Sequence, residues 1–303
     1  MLSSKEIFVP ENLINLAEKT PFIPACIVCA HYEPILKSSK LAYDLNLIQP
    51  IFIGKKELIL KISKKIEWDL SEFEIIDISN DLDSAAAGVK LASQEKVKII
   101  IKGNIHTDLL MGTYVKKDFN LIGSNRLSHI WHMTLNKNDK PLIITDGVLN
   151  VSPRVDIKMH ILKNAVKFMN KIGINKPRVA ILSATEDPIK SIPSSIEAKE
   201  VMEKAIEQKI DAFVQGPLAF DNAISPKAAS IKKISGEVAG KADVLLVPNI
   251  ETGNTLAKTL VHFLGACAAG TIVGSKVPVV IPSRSDSVES MLASIAAANI
   301  STE

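Results

Sequence analysis

The chain has 303 residues, of which 47% are hydrophobic and 23% are charged, and its formal net charge is +3. This charge is too small, and the basic residues are too scattered, to indicate a nucleic-acid partner. No apolar run reaches the roughly 18 residues of a membrane span, and the N-terminal segment lacks the pattern of a signal peptide. We therefore expect a cytoplasmic protein with no membrane partner.

Strand-like and helical segments alternate along the whole chain. Short apolar runs predict strands at residues 23–30, 50–53, 73–76, 97–101, 129–134, 142–145, 178–182, 212–215, 243–247 and 277–281. Helical patterns predict helices at residues 33–45, 56–64, 84–93, 156–172, 195–209 and 255–269, and an amphipathic helix after residue 287. Repeated β–α units of this kind predict an α/β fold with a mostly parallel sheet covered by helices. A polar stretch at residues 136–140 suits either a domain border or a hairpin turn.

The cysteine and histidine pairs do not predict a metal site. Three cysteines are too few for a disulfide framework. Cys26 and Cys29 are three residues apart, as are His129 and His132, and both pairs fall on predicted strands. Residues three apart on a strand point to opposite faces, so neither pair can hold a metal ion jointly.

Two loops that follow predicted strands have the composition of anion sites. The first is SRSDS at residues 283–287, where hydroxyl groups and an arginine precede the N-terminus of a helix. The second spans residues 247–254, where Gly253 would let the backbone approach a ligand and Asn254 would cap the next helix. Together the two loops indicate a shared site for a phosphorylated ligand.

Other loops are explained by turn chemistry. In the loop 102–107, Gly103 permits a tight turn and Thr107 can cap a short helix. Asp146 follows a strand, and we expect it to orient neighbouring loops by hydrogen bonds rather than to act chemically. The P-loop, dinucleotide-binding and nucleophile-elbow motifs do not occur in the sequence.

Four linked segments resemble the phosphate acetyltransferase and phosphate butyryltransferase family: ITDGVLNVSP, GPLAFDNAIS, VPNIETGNTLAKTL and PSRSDSVES. The resemblance implies a fold like that of the isocitrate and isopropylmalate dehydrogenases, with two α/β domains and the active site in the cleft between them. With a border near residue 136, the first domain would contain residues 1–136 plus 277–303 and the second residues 137–276. A homodimer or a higher homo-oligomer is also implied.

The family's reaction would convert acyl-CoA and phosphate to acyl phosphate and CoA. These molecules would be the small-molecule partners; CoA is a substrate, and no cofactor or metal is implied. Two rivals remain: a dehydrogenase of the same fold acting on a phosphorylated substrate, and a non-catalytic protein that binds CoA or acyl phosphate.

The resemblance also assigns site residues in the SRSDS loop. Arg284 would bind the transferring phosphate, and Ser283 would donate a hydrogen bond to it or to the acyl oxygen. Ser285 and Asp286 belong to the same motif and are assigned to substrate binding. Glu289 is the candidate base, although Asp286 and Glu289 also spell a capping-box-like helix start.

Further substrate-binding residues are implied outside that loop. Arg126 would be a second anion contact, with Ser128 beside it, and Thr252, Gly253 and Asn254 would shape the pocket. The motifs lie nearer the butyryl branch, and the acetyl branch has an acidic residue where this chain has Ser290. The identity of the base, the choice of acetyl or butyryl, the reaction direction and the oligomer size therefore stay open.

Overall fold

A computed structural model of the chain describes residues 2–302, in which strands and helices alternate as the sequence predicts. The strands are β1 (Ile23–Val28), β2 (Ile48–Gly54), β3 (Ile75–Asp77), β4 (Ile99–Lys102), β5 (Ser128–Thr134), β6 (Leu142–Thr145), β7 (Arg178–Leu182), β8 (Phe213–Leu218), β9 (Val244–Leu246), β10 (Cys267–Val273) and β11 (Val279–Val280).

The helices are α1 (Glu11–Ala17), α2 (Glu33–Asp44), α3 (Lys56–Lys65), α4 (Asp81–Ser93), α5 (Thr107–Tyr114), α6 (Val155–Lys171), α7 (Pro193–Glu207), α8 (Phe220–Ile224), α9 (Pro226–Ile231), α10 (Ile250–Leu264) and α11 (Val288–Ser301), with a 3-10 turn at Lys117–Phe119. The predicted α/β fold class is confirmed. Within residues 2–302, no helix is both long and apolar enough to cross a membrane.

The chain forms two compact units. The six-stranded unit contains residues 6–125, 135–138 and 267–302, and the five-stranded unit contains residues 2–5, 126–134 and 139–266. These units differ from the predicted division mainly in where β5 and β10 belong. β5 pairs with β6, which places it in the five-stranded unit, and β10 pairs with β11, which places it in the six-stranded unit.

In the six-stranded unit the strand order is β3-β2-β1-β4-β11-β10. All neighbouring pairs are parallel except β10 with β11. The strands β1 and β4 are almost completely buried, because apolar side chains cover both faces of these central strands. Because β1, β4 and β11 are neighbours and run parallel, their carboxyl ends lie side by side at one edge of the sheet.

The five-stranded unit has the strand order β5-β6-β9-β7-β8. Only β5 runs antiparallel to its neighbour, β6. β6 and β9 are adjacent and parallel, so the loops that follow them, residues 146–154 and 247–249, start at the same edge of the sheet.

Two predictions for the C-terminal third are wrong. The helix predicted at 255–269 begins earlier, at Ile250, and ends at Leu264; the next residue, Gly265, adopts the left-handed conformation (φ 70°) that closes many helices. The residues after it form β10, a strand absent from the sequence prediction. The final helix, α11, is not amphipathic: residues 290–300 are all buried, and it packs against β10, α2 and α1.

Candidate active site

A tight turn links β11 to α11 in the six-stranded unit. The backbone N–H of Ser283 donates to Oδ2 of Asp286 (2.8 Å), and the N–H of Asp286 donates to the carbonyl oxygen of Ser283 (3.1 Å). Ser287 is the N-cap of α11, and its side chain accepts from the N–H of Ser290 (3.1 Å). The reading of Asp286 and Glu289 as a capping box is therefore wrong, because Asp286 closes the preceding turn.

This turn exposes three hydrogen-bond donors side by side. Ser283, Arg284 and Ser285 are all exposed, and the hydroxyl oxygens of the two serines lie 3.1 Å apart. The hydroxyl of Tyr32 donates to the carbonyl oxygen of Arg284 (3.0 Å), which fixes the backbone while the guanidinium stays accessible. Because the N-terminus of α11 follows directly, the segment combines a guanidinium, two hydroxyl groups and a positive helix end. This is the chemistry that binds a phosphate group.

The side chain of Ser290 is part of the core. It is 3% exposed, its hydroxyl oxygen accepts from the N–H of Ala268 (3.3 Å), and its hydroxyl lies 3.8 Å from the sulfur of Cys267. Burial raises the pKa of the Cys267 thiol to about 12, and the nearby charge of Glu289 adds to the rise. Glu289 is half-buried in the first turn of α11. Ser290 thus joins α11 to β10, and Glu289 is the partly accessible acidic group beside it.

Lys102 was not singled out from the sequence, although it belongs to this end of the sheet. It is the last residue of β4 and is only 6% exposed. Burial, with the positive charge of Arg284 as the second cause, holds the pKa of its ammonium below the usual range. The available signal was a charged residue closing the otherwise apolar strand IIIK.

In the five-stranded unit, Asp146 organises the loop after β6. One carboxylate oxygen accepts from the N–H groups of Val148 and Leu149 (3.0 Å each). The other accepts from the N–H of His129 (3.0 Å) and from Nδ2 of Asn150 (2.7 Å). These four bonds confirm the predicted orienting role of Asp146.

The first turn of α10 differs from its prediction. Asn249, not Asn254, is the N-cap, and its side-chain oxygen accepts from both the N–H (3.0 Å) and the hydroxyl (2.7 Å) of Thr252. Asn254 lies inside the helix, and its side chain donates to the carbonyl oxygen of Gly147 (3.2 Å). Thr252 is exposed, whereas Asn254 is half-buried and its side chain contacts the loop after β6.

Gly253 permits a close approach of two backbone segments. A Cβ atom added to it would lie 2.8 Å from Cα of Gly147 and 2.9 Å from a methyl group of Val247, shorter than real Cβ contacts. A Cβ atom on Gly147 would in turn lie 2.7 Å from the carbonyl carbon of Gly253. In the structure, Gly253 therefore permits the packing of α10 onto the loop after β6, and its approach to a ligand stays a prediction.

Arg126 and Ser128 are held by one side chain of α6. The amide of Asn164 donates to the carbonyl oxygen of Arg126 and to the hydroxyl oxygen of Ser128, each at 2.9 Å. Arg126 is exposed, whereas Ser128 is completely buried. Arg126 therefore lies on the surface of its unit, whereas the buried hydroxyl of Ser128 accepts a hydrogen bond from the side chain that also holds the backbone of Arg126.

The two histidines of β5 are buried and neutral. Burial lowers the pKa of His129 to about 4, although the charge of Asp146 opposes the shift, and burial lowers the pKa of His132 to about 4 as well. The buried cysteines of the C-x-x-C have separate partners: the thiol of Cys26 contacts the carbonyl oxygen of Gly88 (3.8 Å), and that of Cys29 contacts Asp81 (3.6 Å).

Comparison with known proteins places this arrangement in a family. Residues 80–299 match the family described as phosphate acetyl/butaryl transferase. A phosphate acetyltransferase of Rhizobium meliloti is 39% identical over 278 residues, which cover 91% of this chain and 88% of the relative. A phosphate butyryltransferase of Clostridium beijerinckii is 35% identical over 289 residues, which cover 95% of this chain and 96% of the relative.

Solved structures share the fold. A branched-chain phosphotransacylase from Enterococcus faecalis has a TM-score of 0.80 and 32% identity, covering 93% of this chain and 100% of the other. A 4-hydroxythreonine-4-phosphate dehydrogenase from Klebsiella pneumoniae has a TM-score of 0.59 at 12% identity, covering 92% and 99%, and so shares the fold alone. Because the family match covers most of the chain and relatives above 30% identity span nearly all of it, the chain belongs to the phosphate acetyl/butyryl transferase family.

Proposed function

We propose that this chain catalyses the reversible transfer of a short acyl group between coenzyme A and inorganic phosphate. The observation that carries the proposal is the exposed set of Ser283, Arg284 and Ser285 at the carboxyl end of β11, in a member of this family. Acyl-CoA and phosphate are the substrates in one direction, and acyl phosphate and CoA in the other. The reaction uses no cofactor, since CoA itself is a substrate.

The proposed reaction exchanges one bond at the acyl carbon for another. A phosphate oxygen attacks the carbonyl carbon of the thioester, a C–O bond forms, the C–S bond breaks, and the sulfur leaves as a thiolate that takes up a proton. Phosphate oxygens are already ionised near neutral pH. In the reverse direction the CoA thiol must first lose its proton, and a thiol with a pKa of about 8.5 is mostly protonated at pH 7.

Arg284 is the proposed phosphate ligand. Its planar guanidinium can donate two parallel hydrogen bonds to one phosphate group, and its charge offsets the negative charge that develops as the acyl group changes partner. Removing one such donor from a transition state typically lowers the rate by about 10²–10³. Ser283 and Ser285 add hydroxyl donors to the phosphate or the acyl oxygen.

Glu289 is the proposed proton acceptor for the CoA thiol. It is half-buried, whereas Ser290 is buried and hydrogen-bonded to β10. Asp286 is the less suitable alternative, because one of its carboxylate oxygens already accepts from the N–H of Ser283. We assign Asp286 to holding the turn in its anion-binding shape.

The five-stranded unit supplies the remaining proposed contacts. Arg126 is exposed on a loop fixed by Asn164, which suits a second anion contact. Thr252 and Asn254 present polar side chains from the first turn of α10 for the substrate. Ser128 and Gly253 act through packing. We further propose that the protein works as a cytoplasmic homodimer or higher homo-oligomer, and that the acyl group is acetyl or butyryl.

Thiol release tests this proposal. Purified protein is mixed with acetyl-CoA, propionyl-CoA or butyryl-CoA, and the free thiol is measured with a thiol reagent with and without phosphate. We expect phosphate-dependent release with at least one of these thioesters, and the rates should rank the acyl groups. If phosphate does not increase the release of thiol from any of the three thioesters, the proposal is refuted.

Arg284→Ala tests the assigned role directly. We expect kcat/KM for phosphate to fall by about 10²–10³, while far-UV circular dichroism and the urea unfolding midpoint stay as in the wild type. The side chain is exposed, so its removal leaves the core intact. An Arg284→Ala enzyme that retains most of its activity would remove Arg284 from the site.

A further inference from the structure

Lys102 is a buried cation at the end of a central strand. It closes β4, which lies between β1 and β11 in the sheet. The chain turns sharply after it: the N–H of Gly103 donates to the carbonyl oxygen of Val28 (2.8 Å), and a Cβ atom on Gly103 would lie 2.3 Å from the carbonyl oxygen of Cys29. The turn therefore packs against the end of β1, and Lys102 is left 6% exposed.

The ammonium of Lys102 lacks the acceptors that burial demands. A lysine ammonium has three N–H donors. Among residues 2–302, its only hydrogen bond goes to the carbonyl oxygen of Gly103 at 3.5 Å, which is long for a hydrogen bond. A buried charge without such partners is costly, so a feature of this kind indicates an acceptor that arrives with a ligand.

The position of Lys102 points to the SRSDS turn. β4 and β11 run parallel, with Ile101 opposite Val280, so the next residue along each strand brings Lys102 opposite Ile281, two residues before Ser283. Three charged or titratable groups act on the ammonium: Arg284 lowers its pKa, whereas Asp286 and the thiol of Cys29 raise it. Burial is the largest cause, and it lowers the pKa.

The positive charges of Arg284 and Lys102 repel each other, and an anion bound between them would relieve that repulsion. A phosphate group would supply oxygen acceptors to the two unused N–H donors of Lys102. It would also bind Arg284 and the hydroxyl groups of Ser283 and Ser285. The two cations come from neighbouring parallel strand ends, where sheets of this kind bind their ligands.

We propose that Lys102 is a substrate ligand, whose ammonium binds an oxygen of the phosphate group together with Arg284. The proposal rests on the proposed function for the identity of the anion as a substrate. It adds a binding residue on β4 to the SRSDS turn. It also gives a reason for a lysine at this buried position, since its acceptors are provided by the substrate.

Lys102→Met is the test variant, because methionine keeps an unbranched side chain and removes the charge. Lys90→Met is the matched control, since Lys90 is an exposed lysine of α4 in the same unit. Binding of inorganic phosphate is measured by isothermal titration calorimetry, and KM is measured for phosphate and for acyl-CoA. We expect Lys102→Met to raise the dissociation constant and KM for phosphate by roughly 10- to 100-fold. KM for acyl-CoA and all values for Lys90→Met should change little.

A proton-linkage measurement gives a second readout. Binding of an anion favours the charged form of Lys102, so its lowered pKa should rise when phosphate binds. Above neutral pH the wild type should therefore take up protons as phosphate binds, seen as a dependence of the binding enthalpy on the ionisation enthalpy of the buffer. Lys102→Met should lose that uptake, and Lys90→Met should keep it.

The urea unfolding midpoint of Lys102→Met distinguishes a binding role of Lys102 from a purely structural role. Replacing a buried, poorly paired charge by an apolar side chain should leave the urea midpoint unchanged or higher. Unchanged phosphate affinity and unchanged KM in folded Lys102→Met would overturn the proposal, as would a lower urea midpoint with unchanged phosphate affinity. Lys102-dependent phosphate binding without acyl transfer would uphold the site and refute the proposed function. If the wild type shows no phosphate binding and no phosphate-dependent rate, both the Lys102 site and the proposed function are refuted.

Discussion

Replacing Gly253 by alanine tests how the first turn of α10 is positioned. The added Cβ atom would lie 2.8 Å from Cα of Gly147, 2.9 Å from a methyl group of Val247 and 3.2 Å from the backbone nitrogen of Gly147. Two of these three contacts are with backbone atoms, which cannot move aside as the end of a flexible side chain can. Gly253→Ala must therefore push α10 and the loop after β6 apart.

The expected loss of stability is modest but measurable. Overpacking of a tight interior typically costs about 1–3 kcal/mol. Alanine recovers up to about 1 kcal/mol, because glycine is a poor helix former. With the full offset, the net loss in the free energy of unfolding should therefore be up to about 2 kcal/mol. Because Asn254 and Gly147 are hydrogen-bonded across the same contact, KM for the substrates should also rise.

Gly112→Ala is the matched control for this measurement. Gly112 lies in α5 and is exposed, and nothing lies within 4 Å of a Cβ atom built on it. The same substitution there should stabilise the protein by up to about 1 kcal/mol. Urea unfolding followed by circular dichroism compares the two variants with the wild type. If Gly253→Ala is as stable as Gly112→Ala, the argument from close backbone packing is refuted.

Two further predictions concern the turn before α11 and the buried histidines. Asp286→Asn should retain much more activity than Asp286→Ala in the thiol-release assay, because an amide oxygen can still accept from the N–H of Ser283; equal loss in both would instead indicate that Asp286 acts as the base. The free energy of unfolding should fall as the pH drops from 7 to 4, because His129 and His132 titrate near 6.5 when unfolded but near 4 when buried, so the unfolded chain binds more protons. Each histidine should contribute about 3 kcal/mol of this loss. His132→Gln should flatten the pH dependence of the urea midpoint, and an unchanged pH dependence would contradict the assigned shift.

The sequence predicts the fold well where apolar runs have clear borders. β6 and β7 begin and end where their patterns predict, because each is a short, mostly apolar run with a proline before it and a polar residue after it. β10 could not be predicted in the same way, since its alanine-rich start continues the helical pattern of α10. The left-handed conformation of Gly265 ends α10 before β10 begins. The helix predicted through residue 269 did not take this glycine into account.

The candidate site was predictable only in part. The SRSDS turn was found because donors after a buried strand and before a helix have a general chemical meaning. The burial of Lys102 depends on tertiary packing around β4, and a lysine at a strand end ordinarily lies in water. In the same way, the burial of Ser128 and the contact between Gly147 and Gly253 depend on segments far apart in the chain.

The central claim is acyl transfer to phosphate, and trapping the acyl phosphate tests it most directly. Protein, acyl-CoA and phosphate are incubated, and hydroxylamine is added to convert any acyl phosphate to the hydroxamate, which is measured beside the free thiol. We predict one hydroxamate for each thiol released, and loss of both products in Arg284→Ala. Thiol release with free carboxylate in place of hydroxamate would show hydrolysis, and it would contradict the account.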